Sequence, residues 1–183
     1  MKSMSNTIYQ KISVALLTIV ITLVQFSFAF ATPINAEKLV DLTNQSRSQN
    51  GLKTLKINYE LELAAQNKAQ NMLEYDYFEH YSPYGLSPWD FIKESGYNYI
   101  VAGENLAMDF KTSEGIHSAW MNSPLHKKNI LKPEFEDIGI ATVKGEFNNY
   151  QTTMVVQMFG KITTKTSIFD SLIYKISSWL LGL

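Results

Sequence analysis

The period of the apolar residues changes partway along this chain, and that change limits the folds open to it more than any other feature. In 58–75, Leu61, Ala64, Ala65, Ala69, Met72 and Leu73 recur at helical spacing behind Asn58, a favourable N-cap, so this segment reads as a helix with one buried face. An earlier helix over 36–50 places Leu39, Leu42 and Thr43 on one side, with Lys38, Asp41, Gln45 and Arg47 elsewhere, and stops at Asn50-Gly51. Toward the other end, 137–143 and 150–159 are β-branched and strand-like, joined through a turn in 145–149, so a hairpin follows. Between these lie an aromatic loop over 77–87, a short helix opened by Ser87-Pro88 and ending near Gly96, a short extended segment in 97–108, and a helix in 111–122 with Ile116, Ala119 and Trp120 as its stripe, broken by Pro124. Helices gathered ahead of an antiparallel hairpin predict a layered α+β domain rather than a doubly wound parallel sheet.

Both ends of the chain differ from this body. Lys2 and Lys11 precede an uncharged apolar run, 12–31, that closes on Ala29-Phe30-Ala31, so residues 1–31 read as a secretory signal, with an uncleaved anchor as the competing reading. Residues 162–167 read as a linker. In 168–183, Ile168, Phe169, Leu172, Ile173, Ile176, Trp179, Leu180 and Leu183 face one side of an amphipathic helix. It is too short and too polar to span a bilayer, which leaves docking on the domain, a partner, or membrane contact at the lipid interface. The expected location is secreted or associated with the cell surface. The absence of cysteine from all 183 residues excludes disulfides, thiolate-bound zinc and a thiol nucleophile. With 16 basic against 17 acidic residues there is no electrostatic footprint for nucleic acid.

Of the three histidines, His80 and His126 fall in turn-rich surroundings and His117 in a helical stretch. Glu104, flanked by the apolar 100–102 and by Leu106-Ala107, is a carboxylate expected either to be tied to backbone N–H groups or to belong to a site. Imidazoles and a carboxylate can exchange protons or bind a metal, but spacing alone does not join these three.

Four ordered stretches do join them: Glu79-His80-Tyr81-Ser82-Pro83-Tyr84-Gly85 with Gly96-Tyr97, then Ala102-Gly103-Glu104-Asn105-Leu106-Ala107, then 120–131 from Trp120 through Pro124-Leu125-His126 to Leu131, then Ile138-Gly139-Ile140. This set resembles bacterial, extracellular-type domains of the CAP superfamily (cysteine-rich secretory proteins, antigen 5 and pathogenesis-related proteins), and the resemblance covers a domain at 36–161. It implies a three-layer α-β-α sandwich with a small antiparallel sheet and a cleft holding His80, Glu104 and His126. A fourth family position, a glutamate soon after the tryptophan, has no counterpart, since Asn122 and Ser123 follow Trp120. Lys127 stands where bacterial relatives often have arginine. Glu114 and His117, on the preceding helix, are further candidates for the cleft.

Three functions follow from this reading. The first is a binding module for a cell-envelope component, a lipid or a protein, favoured because no Gly-x-Ser-x-Gly elbow presents a nucleophile. The second is a hydrolase in which His80 and His126 hold Zn²⁺ and Glu104 is a ligand or general base, although the His-Glu-x-x-His helix is missing. The third is a spacer that presents its terminal helix to a membrane.

Overall fold

The computed structural model describes residues 34–162, so the signal-like 1–31, the amphipathic 168–183 and all but the first residue of the linker lie outside the described residues. Helix α1 (Ala36–Gln49) begins where Asn35 Oδ1 accepts the Lys38 N–H at 3.0 Å, and it ends at Gly51, whose φ of +71° suits glycine. Strand β1 (Lys56–Ile57) leads directly into helix α2 (Tyr59–Glu74), whose N-cap Asn58 accepts the Leu61 N–H at 3.0 Å. The aromatic loop follows. Helix α3 (Pro88–Glu94) is fixed by Asp90, which accepts from both the N–H and the hydroxyl of Ser87.

Strand β2 (Tyr99–Ala107), helix α4 (Ser113–Asn122), helix α5 (Pro124–Ile130), strand β3 (Asp137–Phe147) and strand β4 (Tyr150–Ile162) complete the order. The four strands form one sheet in the order β1-β3-β4-β2, which leaves β2 at an edge. One sheet face carries α2 and α3 over Leu61, Ala65, Met72, Leu106, Met154, Val156 and Met158. The other carries α1, α4 and α5 over Leu39, Ile116, Trp120, Ile130, Val155 and Phe159. The expected α-β-α sandwich is therefore the observed one. At Gly139 the sheet and α2 approach so closely that an added Cβ would lie 2.2 Å from the backbone of Leu61 and Glu62.

Several local expectations change. The sheet is antiparallel except at β1, which pairs in parallel with β3 through Lys56 and Ile57; two residues are too few to show a period. The segment expected to be short becomes the nine-residue β2. The hairpin strands run on past Val143, and the turn is only Asn148-Asn149, both with positive φ (48° and 67°), while Gly145 lies within β3. Pro124 does follow the end of α4, but it also opens α5, where a missing N–H costs nothing. On α1 the buried face is Leu39, Val40, Thr43 and Arg47, with Leu42 only partly covered. The Arg47 guanidinium donates to the carbonyls of Lys53, Ile130 and Lys132, so a charge assigned to the solvent side staples loops beneath the helix.

Candidate functional site

Alternation along β2 builds the site. Adjacent strand residues point to opposite faces, so Glu104 turns toward the layer of α2 and Asn105 toward the layer of α1, α4 and α5. The Glu104 side chain is 2% exposed and that of His80 51%, and His80 Nδ1 donates to Glu104 Oε1 at 2.5 Å. This bond holds the His80 pKa above its ordinary value, outweighing the opposing effects of partial burial and of the Lys68 charge. Burial pushes the Glu104 carboxyl up, while the His80 bond and Lys68 oppose the rise. Glu104 Oε2 is buried with no hydrogen-bond partner, which accounts for the strength of that desolvation.

His126 arrives from the opposite layer on α5. Its carbonyl accepts from Asn105 Nδ2 at 3.3 Å, and Asn129 Nδ2, one turn further along, donates to the Glu104 carbonyl and to Asn105 Oδ1, both at 2.9 Å. Asn105 Nδ2 also donates to Gln157, whose own amide donates to Thr43 on α1. Partial burial lowers the His126 pKa, and the charge of His80 lowers it further. The structure thus joins the His80 ring to Glu104 and ties the backbone of His126 to Asn105, the next residue on β2.

The two helical candidates turn elsewhere. Glu114 pairs with Lys38 on α1 at 3.6 Å, and His117 Nε2 lies 2.8 Å from Ser46 Oγ, also on α1. His117 is buried with Nδ1 unpartnered, and burial lowers its pKa. Residues missed from sequence include Lys68, Asn129 and Gln157. Lys68 follows Ala64 and Ala65 and precedes Ala69 and Met72 on the buried stripe of α2, a position from which its burial was readable.

The donor set does not fit a zinc site with three protein ligands. Glu104 gives one oxygen to His80 Nδ1 and its other is buried, so it is not open as a third ligand beside the two imidazoles, and among the described residues no group of three or more potential ligands is placed to hold a metal. A recess of about 800 Å³ lies elsewhere, lined by Met121, Pro124, Lys127, Lys128, Leu131 and Lys132 among others, and includes neither cleft histidine. No helix among the described residues is long and apolar enough to cross a membrane.

Residues 40–159 match the model of the cysteine-rich secretory protein family, CAP. An uncharacterised Bacillus subtilis (strain 168) protein, YkwD, is 46% identical over 108 residues, 59% of this chain and 42% of its own length. An extracellular protein containing an SCP domain from Bacillus anthracis superposes with a TM-score of 0.59 at 26% identity, over 69% of this chain and 40% of that one. An outer surface protein from Borrelia burgdorferi gives 0.63 at 25% identity, over 69% and 92%. The chain therefore spans less than half the length of the first two relatives.

Proposed function

Because this chain belongs to the cysteine-rich secretory protein (CAP) family, we propose that it is an exported binding module, secreted or held at the cell surface, whose cleft captures a carboxylate- or phosphate-bearing component of the cell envelope. The observation that carries this reading is the His80–Glu104 pair. With Nδ1 engaged and half the side chain exposed, Nε2 is the nitrogen left for a ligand. Glu104 keeps the ring protonated to higher pH than a free histidine, so Nε2–H acts as a charged donor suited to an anionic oxygen. His126, pushed toward its neutral form, offers a second polar contact without competing for that charge. The apolar signal-like N-terminus and the extracellular and outer-surface proteins among the similar structures support the location.

The test is co-sedimentation of the full chain and its His80→Ala variant with purified cell-envelope fractions, with inorganic phosphate and acetate as competitors. Binding to the wild type should saturate and weaken as pH rises through the His80 pKa. Loss of one charged hydrogen bond should weaken it about tenfold, or ~1.4 kcal/mol. Equal binding by His80→Ala, or no saturable binding by either protein, would overturn the proposal.

A further inference from the structure

Lys68 is 0% exposed in the middle of α2, an unusual place for an ammonium. It is a fully satisfied one. Its three donors reach Tyr77 Oη at 3.1 Å and the carbonyls of Glu79 and His80, both at 2.9 Å. The same group lies 4.6 Å from the Tyr77 ring centre and 5.5 Å from that of Phe91. Tyr77 Oη donates its own hydrogen bond to Asn71 Oδ1 at 2.6 Å, so the phenol oxygen is free to accept from the ammonium. Charges facing Lys68 are Glu104 from β2 and Glu79 from the loop, and both stabilise its protonated form against the cost of burial.

We propose that Lys68 is a positioning residue of the cleft, its ammonium clamping the main-chain carbonyls on both sides of the His80 Cα so that the His80 ring meets Glu104. A lysine that merely filled core volume would need neither loop carbonyl. Here two of its three hydrogen bonds go to the residue that enters the site and to the one before it. The segment is anchored by backbone bonds on either side, Tyr77 N–H to Met72 and Ser82 N–H to Leu86, and the ammonium holds the stretch between those anchors. Lys68 is fully buried and acts on a ligand only through the residues it faces, by holding the His80 main chain and by its charge beside Glu104. Its importance for ligand capture rests on the binding reading above, whereas the clamp itself is tested without a ligand.

The spectroscopic signature is the proton between His80 Nδ1 and Glu104 Oε1, a downfield imidazole resonance assigned by its disappearance in His80→Gln. In Lys68→Met, of similar length and uncharged, this resonance should be lost while the remaining tertiary dispersion persists. Arg47→Met, which removes a buried cation from the opposite layer, should lower stability and leave the resonance in place. Persistence of the resonance in folded Lys68→Met would overturn the proposal. If Lys68→Met does not fold, the wild-type chain decides. A slowly exchanging Nζ signal coupled to the carbonyl carbons of Glu79 and His80 supports the clamp, and a rapidly exchanging, uncoupled ammonium refutes it. Failure of envelope binding with these signals intact would count against the binding reading alone.

Discussion

Replacing Glu104 with Gln keeps the side chain's shape and removes its charge, so the variant isolates the electrostatics of the site. Two losses are expected. A hydrogen bond to a charged partner contributes about 1.5–3 kcal/mol when shielded, but the His80 side chain is 51% exposed and solvent discounts this to roughly 1 kcal/mol. Lys68, 0% exposed, also loses a countercharge. Orphaning one member of a buried pair costs about 3–5 kcal/mol, lowered here to roughly 2 because the ammonium keeps its phenol and both carbonyls. The total is about 3 kcal/mol, read by urea unfolding. A double-mutant cycle with His80→Ala isolates the pair, with a coupling of about 1 kcal/mol expected at a pH below the ordinary His value. The pKa values of His80 and Glu104 are both raised in the fold. His80's contribution is therefore present below its unfolded value and is lost as pH rises through its folded one, whereas the raised Glu104 value reflects the cost of burying its charge, and the coupling needs Glu104 ionised and His80 protonated together. The coupling should shrink over that rise. A coupling below ~0.3 kcal/mol, or one indifferent to pH, would refute the assignment.

Other perturbations test the scaffold. Gly139→Ala forces a Cβ to within 2.2 Å of the α2 backbone and should cost about 3 kcal/mol, seen as a lowered Tm. Arg47→Met leaves the carbonyls of Lys53, Ile130 and Lys132 without their donor and should cost about 3–5 kcal/mol by urea unfolding. Asn149→Val puts a β-branched residue at φ +67° and should destabilise the hairpin by about 1–2 kcal/mol, with faster amide exchange in β3 and β4 near the turn. His117 has a lowered pKa in the fold, so its neutral form is the stable one and stability is lost as pH falls below about 6.5. His117→Gln should flatten that acid slope, which is opposite in sign to the slope of the His80–Glu104 pair.

The fold was legible where local chemistry and burial agree. Asn58 and Ser87 mark helix starts because their side chains satisfy or organise the first turn, and the strand pair at 137–159 announces itself by β-branched content. The hairpin turn was placed too broadly because Gly145 and the two asparagines are all turn formers, and only the register shows that Gly145 stays in the strand, against Leu73. Two buried cations escaped the reading, Arg47 because it was placed off the apolar side of its helix and Lys68 because it was not read at all. Each lies on the buried face of its helix and spends its donors on distant main-chain carbonyls. Helical spacing could have placed them inside, but nothing local names the acceptors, which lie 83 residues away for one Arg47 bond.

The cleft was legible as a set of motifs and not as a geometry, because the strand that joins its halves sends adjacent residues to opposite layers. Glu104 enters the layer of α2, where Lys68 holds the His80 loop. Asn105 enters the other, where Asn129, Gln157 and Thr43 link α5, β4 and α1 beneath His126. The two histidines therefore rest on separate supports that share only the β2 backbone. A change at Lys68 should displace His80 and leave His126 in place, while a change at Asn129 should do the reverse.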